Sequence, residues 1–343
     1  MEAPSWPALI RALIGRQALT AEQTAWAMNE ILEGAASPAQ IAGFGVALRA
    51  KGETPDEVAG LAAAMLQHAR RVDVPVRAID VVGTGGDQAN TVNISSMAAV
   101  VVAAAGVPVV KHGNRAASSA TGTADVLEAL GVRLDLPAPR VAELAGEVGI
   151  TFCFAQLFHP AFRHAAVARR ELGVPTAFNF LGPLTNPAGA GRQLIGVSDP
   201  RYLDTIAGAL GGLGGTTALV VSSEDGLDEI SVSAPTRAVE LKDGGISSYS
   251  ITPESLGVEP APSEAVGAAD PDRSAEIARA VLSGAGGAER SLTVANAGAA
   301  IYVGGRADSL ENGVRSAEDA IDSGAAREAM ERFVERTQAL AAA

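Results

Sequence analysis

The chain has 343 residues, 48% of them hydrophobic and only 4% aromatic, with a net charge of −13. That length and apolar content allow two domains around a substantial core and exclude a disordered chain. The acidic balance, 39 Asp and Glu against 26 Lys and Arg, argues against a surface for nucleic acid or anionic membrane and makes any local positive cluster informative. The N-terminus has no basic stretch followed by a clean apolar run, so no signal peptide is expected. The longest uncharged apolar run, Met97 to Val110, is too short to span a membrane and contains Gly106 and Pro108. A lone cysteine, Cys153, excludes an intrachain disulfide, and its setting between Phe152 and Phe154 reads as a buried small hydrophobe. A cytoplasmic protein is expected.

The first seventy or so residues read as helices. Three capping boxes mark helix starts: Thr20 with Gln23, Ser37 with Gln40, and Thr54 with Glu57. The latter two carry proline at the first helical position, where its missing N–H is harmless. Apolar residues recur at helical spacing in Ile41, Phe44 and Leu48 and again in Val58, Leu61 and Met65. After Val74-Pro75 the pattern changes. Ala78 to Val82 reads as a short buried strand, Ser95 to Ala105 as a small-residue helix, and Val107 to Val110 as a second strand ending at Lys111. This is a strand–loop–helix–strand crossover, with a loop at the carboxyl end of each strand. Helices are expected over 124–130, 140–148 and 159–172, and strands over 151–154 and 219–222. Residues 178–187 read as a turn-rich loop, 244–272 as irregular, and 318–342 as a helix-rich terminus. The fold class is therefore α/β: a small helical N-terminal domain beside a larger domain with a central, mainly parallel sheet flanked by helices. The small domain takes 1–73 with a helical contribution from 159–186, and the large one takes 74–158 and 187–343.

Two loops and one acidic pair carry the chemistry. Gly83-Thr84-Gly85-Gly86-Asp87 puts three glycines in five residues, where bare backbone N–H groups can approach an anion. It lacks the Gly-Lys-Ser/Thr of a Walker loop and the spacing of a dinucleotide fingerprint, so alone it is equally a tight strand-to-helix turn. Thr91, Asn93, Ser95 and Ser96 follow at the expected helix start, where free N–H groups favour a phosphate. The second loop, Lys111 to Ser119, contains Lys111, His112, Asn114 and Arg115; the whole chain has only three lysines and four histidines. Asp228-Glu229 is a carboxylate pair suited to Mg²⁺, which favours a few protein oxygens completed by water and substrate oxygens. Together these point to an enzyme that handles a phosphorylated, magnesium-bound substrate.

These residues resemble the anthranilate phosphoribosyltransferases of tryptophan biosynthesis. The resemblance runs over nearly the whole chain. It includes the N-terminal helices through Gly52-Glu53-Thr54, Gly83 to Asp87, Asn93-Ile94-Ser95, Lys111 to Ser119 and Ala124 to Gly131. It continues through His159 to His164, Arg169 to Gly173, Leu181 to Pro187 and Gly226 to Ile230. No one of these is specific alone; the set is.

The resemblance implies transfer of the phosphoribosyl group from 5-phosphoribosyl-1-pyrophosphate (PRPP) to the amine of anthranilate, with loss of pyrophosphate. It implies that Gly83, Gly86, Asp87, Thr91, Asn93, Ile94, Ser95, Ser96, Lys111, Ser119 and Thr123 hold PRPP. Gly83, Asn114 and Arg169 would bind anthranilate, with His112, Gly182 and Pro183 lining its path. Ser95, Asp228 and Glu229 would hold Mg²⁺, two ions per subunit. No covalent nucleophile is expected, and His112 is the candidate for late proton removal. A homodimer through the helical domain is implied, with small molecules as the only other partners. The chain departs from the family pattern at Pro175, where arginine is more usual, and at Thr123, where serine is. Two alternatives remain. A pyrimidine nucleoside phosphorylase shares the architecture but should not need Asp228-Glu229. A non-catalytic nucleic-acid-binding relative should carry a basic face and lack the Asn114, Arg169 and acidic-pair set.

Overall fold

The computed structural model describes residues 3–87, 89–115, 122–268 and 270–342. Four helices open the chain: α1 (Trp6–Ile14), α2 (Ala21–Leu32), α3 (Pro38–Lys51) and α4 (Pro55–Gln67). All three capping boxes form. The hydroxyls of Thr20, Ser37 and Thr54 accept from the N3 amides, while Gln23, Gln40 and Glu57 reach back to the cap N–H groups. Each box satisfies two otherwise orphaned donors and stabilises its helix by about 1 kcal/mol.

The remainder alternates strands and helices. In order come β1 (Ile79–Gly83), α5 (Ile94–Ala104), β2 (Val109–Gly113), α6 (Thr123–Leu130), α7 (Ala138–Glu147), β3 (Ile150–Phe154), α8 (Ala155–Phe158), α9 (Ala166–Leu172), β4 (Arg192–Gly196) and α10 (Leu203–Gly212). Then follow β5 (Thr217–Ser223), β6 (Thr236–Lys242), β7 (Gly245–Ile251), α11 (Pro253–Leu256), α12 (Pro271–Leu282), α13 (Ala288–Val303), α14 (Leu310–Asp322) and α15 (Ala325–Ala342). The sheet order is β3-β2-β1-β4-β5-β6-β7, parallel from β3 to β5 and antiparallel at β6 and β7.

Strand side chains alternate between faces, and each face has its own core. Val81, Leu194, Leu219 and Val221 join a core with α5, α13 and α14. Val82, Ile195 and Val220 point the other way, into a core shared with α1–α4, α10 and Phe178, Phe180, Leu181 and Leu184. Helix α5 is buried from Ile94 to Val102 because the sheet, α13 and α15 surround it, which explains its lack of a polar face.

Three expectations are corrected. Residues 244–272 are irregular only in part, chiefly at 257–262: β6 and β7 form a hairpin pairing Lys242 with Gly245, turned by Asp243 and Gly244 at φ 51° and 79°. That two-residue Asp-Gly turn matches strand twist. Its signal is hidden because β7 is an exposed edge strand whose serines (Ser247, Ser248, Ser250) break the apolar alternation. The helix expected over 159–172 is split, with a 3₁₀ segment at Pro160–Ala165 before α9. Finally, β2 runs on to Gly113, so Lys111 and His112 lie within the strand and are buried, where a loop was expected.

Candidate active site

Strands β2 and β3 continue to one side of β1, whereas β4 pairs on its other side. The carboxyl ends of β1 and β4 therefore form the switch point where open α/β sheets collect ligands. Their last paired residues are both glycine, Gly83 and Gly196. A methyl group on Gly196 would lie 1.5 Å from the Asp228 carbonyl oxygen, and one on Gly83 would lie 2.4 Å from Asp228 Oδ2. Bare backbone at these two strand ends is what lets Asp228 enter the crevice. The Gly85 N–H then donates to Asp228 Oδ2 at 2.6 Å. One amide of the glycine loop thus holds the acid instead of facing a ligand.

The acidic pair is fixed from behind. Asn296, buried in the Ala- and Val-rich α13, accepts from the Ile230 N–H at 2.9 Å and donates to the Ile230 carbonyl at 2.9 Å. On the outer side, Asp225 accepts from the Ser231 and Ser233 hydroxyls. Asp228 and Glu229 are both buried. Burial pushes the proton affinity of each upward, with Asp87 adding to Asp228 and Asp228 adding to Glu229. No described residue donates a hydrogen bond to the Glu229 carboxylate. Among the described residues no group of three or more His, Cys, Asp or Glu side chains could hold a metal by itself. Two buried carboxylates of raised proton affinity, on one cleft with the Ser95 hydroxyl, fit a hard divalent cation whose remaining ligands come from substrate and water.

The site's other wall is an opened sheet. Strands β1 and β2 are paired only at Ile79 and Val109. Beyond that pair, side chains replace the ladder. Asp80 accepts the His112 N–H at 3.0 Å, Asn186 donates to the Val110 carbonyl at 2.7 Å and to Asp80 at 2.8 Å, and the Lys111 ammonium donates to the Val81 carbonyl. Lys111 also donates to Ser95 Oγ at 2.9 Å. Burial lowers its affinity for the proton, and Asp80, Glu229 and Asp228 oppose that. Burial raises the Asp80 carboxyl to about 6, with Lys111 pulling the other way.

A cleft of about 1690 Å³ joins these parts. It is lined by Gly83, Gly86, Asp87, Thr91, Asn93, Ile94, Ser95, His112, Asn114, Thr123, Arg169, Gly182, Pro183, Asp228 and Glu229. The start of α5 opens onto it. Asn93 caps the helix by accepting from Ser96 N at 3.2 Å, and the first-turn N–H groups ahead of Ser96 favour an anion. Of the remaining expected residues, Lys111 and Ser96 sit behind the wall, both buried. Ser119 lies outside the described residues. Arg169, half-buried with its guanidinium 5.1 Å from the Phe162 ring, has no acidic partner among the described residues. Arg115, in contrast, is neutralised by Asp125 and Glu128. Asp80, Asn186, Gly196 and Asn296 escape the sequence reading. A charged or amide residue inside an apolar strand or helix is the signal that could have found Asp80 and Asn296.

His112 donates its Nδ1 hydrogen to the Gly182 carbonyl at 3.0 Å, while Nε2 is buried and without a partner among the described residues. Burial, helped by His159 with ring centroids 5.1 Å apart, pulls its pKa down to about 3. The native state thus resists protonation. His112's contribution to stability is fully present above its unfolded value of about 6.5 and is lost as pH falls toward 3. Urea unfolding of wild type and His112→Gln should show it. The stability gap should shrink by about 2 kcal/mol between pH 7 and pH 5, since Asp80 titrates in both proteins. An equal gap at both pH values would contradict a neutral buried imidazole.

Known proteins carry the same architecture. Residues 7–69 match the helical bundle domain of a glycosyl transferase family, and residues 76–327 match its a/b domain. The anthranilate phosphoribosyltransferase of Arthrobacter sp. (strain FB24) is 52% identical over 340 residues, covering 97% of this chain and 96% of the relative. That of Nocardioides sp. (strain ATCC BAA-499 / JS614) is 52% identical over 338 residues, covering 97% and 99%. The crystal structure of the Thermus thermophilus enzyme superposes with a TM-score of 0.91 at 44% identity, over 96% of this chain and 99% of that one. The Saccharomyces cerevisiae enzyme, solved in complex with PRPP and Mg, gives 0.88 at 26% identity, over 97% and 98%. With the glycine crevice, the buried acidic pair and an arginine without an acidic partner among the described residues on one cleft, and identity of this order over the full length, the chain belongs to the anthranilate phosphoribosyltransferase family.

Proposed function

We propose that this chain transfers the 5-phosphoribosyl group from PRPP to the amine of anthranilate, giving N-(5-phosphoribosyl)anthranilate and pyrophosphate in tryptophan biosynthesis. The observation that carries this is the meeting, in one cleft, of two buried carboxylates, the N-terminus of α5 and an arginine with no acidic partner among the described residues. The carboxylates and the helix end suit a metal-bound pyrophosphate, and the arginine suits an aromatic carboxylate. The helical unit, 1–73 with 159–186, would close one side of the cleft, and the α/β unit, 74–158 with 187–343, would hold PRPP.

Asp228, Glu229 and Ser95 would hold Mg²⁺, two ions per subunit. A bound Mg²⁺ supplies positive charge that neutralises the departing pyrophosphate. A magnesium titration giving one ion per subunit would contradict the second. The residues Gly83, Gly86, Asp87, Thr91, Asn93, Ile94 and Thr123 would seat the sugar phosphate, with Lys111 and Ser96 supporting from behind. Asn114 and Arg169 would orient anthranilate by its carboxylate, and Gly182 and Pro183 would border its ring.

The attacking aromatic amine is uncharged near neutral pH, so it needs no base before attack. Nitrogen bonds to C1 as the C1–oxygen bond to pyrophosphate breaks, and the amine then loses a proton. Alignment of the two substrates and fixed dipoles at the leaving group supply the acceleration. With Nδ1–H committed to Gly182, only the Nε2 lone pair of His112 remains to accept from an amine N–H, and it is buried until the cleft wall shifts to expose it. Its low basicity suits it to orienting that N–H more than to carrying the proton away.

The assembly is read as a homodimer through the helical unit. Ile14, Val46, Val167 and Val174 are exposed large aliphatics on or just after α1, α3 and α9, and α3 packs against both α1 and α9. A monomer mass by light scattering would contradict it. Among the described residues no helix is long and apolar enough to cross a membrane; the lone cysteine, Cys153, suits a reducing cytoplasm.

Pyrophosphate release tests the reaction. It should require PRPP, Mg²⁺ and anthranilate together, and pyrimidine nucleosides with phosphate should yield no free base. Pyrophosphate released stoichiometrically from PRPP without anthranilate would instead indicate a covalent enzyme intermediate.

A further inference from the structure

Asn114 presents its amide in a fixed sense. The backbone N–H of Arg115 donates to Asn114 Oδ1 at 2.8 Å. A backbone N–H can only donate, so the atom it meets is the oxygen. The same oxygen accepts a second hydrogen bond, at 3.3 Å, from Nε2 of Gln156. Two donors on Oδ1 leave the Asn114 NH₂ free of any described partner, on a side chain that lines the cleft.

The sheet register brings these residues together. Strands β2 and β3 are in register, His112 opposite Cys153 and Gly113 opposite Phe154. Asn114, one residue past the end of β2, and Gln156, two past the end of β3, therefore emerge near one another, close enough for their hydrogen bond. The Asn114 carbonyl accepts from Ala124 N at 3.1 Å, tying its backbone to α6. The neighbouring Arg115 cannot substitute as an anion contact. Its guanidinium is held by Asp125 and Glu128 and lies 5.4 Å from the Phe154 ring.

We infer that Gln156 is a positioning residue for the acceptor substrate: it locks the Asn114 amide so that its NH₂ faces the substrate carboxylate. This rests on reading Asn114 as an anthranilate contact. Without Gln156, Oδ1 keeps one donor and the amide gains rotational freedom, including a flip that would aim an oxygen at a carboxylate.

The test is steady-state kinetics with both substrates varied. Gln156→Ala should raise the anthranilate KM about three- to tenfold, the worth of one ordinary hydrogen bond, with kcat and the PRPP KM within about twofold. Gln156→Glu keeps the size but cannot donate, and it sets a negative charge beside Oδ1, so its rise should be larger. In an Asn114→Ala background, Gln156→Ala should add less than about twofold, since coupled residues are not additive. Far-UV circular dichroism and the thermal midpoint confirm folding of each variant; Gln156 is an exposed residue in a one-turn helix. An unchanged anthranilate KM in both Gln156 variants, or a full effect persisting without Asn114, would overturn the inference alone. An unchanged anthranilate KM in Asn114→Ala would overturn the underlying reading as well.

Discussion

Replacing both acids, Asp228→Asn with Glu229→Gln, should lower kcat/KM by about 10³-fold or more at ordinary magnesium concentrations. It should leave the fold intact. Both side chains are buried, and burial raises the proton affinity of each. In the metal-free protein they are a cost, because two carboxylates share a poorly solvated crevice. The amides keep the volume and remove the charge, so the thermal midpoint of the metal-free variant should equal or exceed that of wild type. The amide introduced at position 228 could still accept from the Gly85 N–H through its carbonyl oxygen. Magnesium should raise the wild-type midpoint and leave that of the variant unmoved. Retained activity would remove the metal role from this pair. Lost activity accompanied by a lower midpoint would mean that the acids act as structural supports.

Arg169→Ala should raise the anthranilate KM by about 10- to 100-fold, the range for a charge-assisted hydrogen bond, with the PRPP KM within about threefold. The reasoning starts from charge. Several arginines meet an acid at or near the surface, as Arg133 does with Asp135 and Arg336 with Glu143 and Glu147. Arg169 has none, and burial makes its charge more costly. A site of this kind is settled by an anionic ligand. Arg169→Lys should recover only part of the loss, because an ammonium cannot form the paired hydrogen bonds of a guanidinium. Measuring both KM values in each variant decides it, and equal effects on the two substrates would place Arg169 elsewhere in the mechanism.

Much of this was legible in the residues, and the illegible parts share a cause. The N-terminal helices announce themselves through local chemistry, since a capping box lies within four residues of itself. The crossover from β1 to β2 is equally plain, because glycine loops follow apolar runs. What hides is whatever depends on distant partners. Strand β4 carries Arg192 and Gln193 next to Leu194 and Ile195, a pattern without strict alternation. Lys111 reads as a loop cation, yet Asp80, far earlier in the chain, lends it a counter-charge inside the sheet. Gly196 looks like any glycine until the Asp228 backbone is placed against it. Gln156 has no motif at all, and it matters only because β2 and β3 end together. The acidic pair itself was visible, but its burial and its grip by Asn296 belong to the tertiary structure.

The most direct measurement is anthranilate fluorescence over time, with PRPP and Mg²⁺, with each omitted, and with a chelator added. The signal should fall only when PRPP and Mg²⁺ are both present, and the chelator should stop it. A steady signal under every condition, from protein shown to be folded, would contradict the transferase reading.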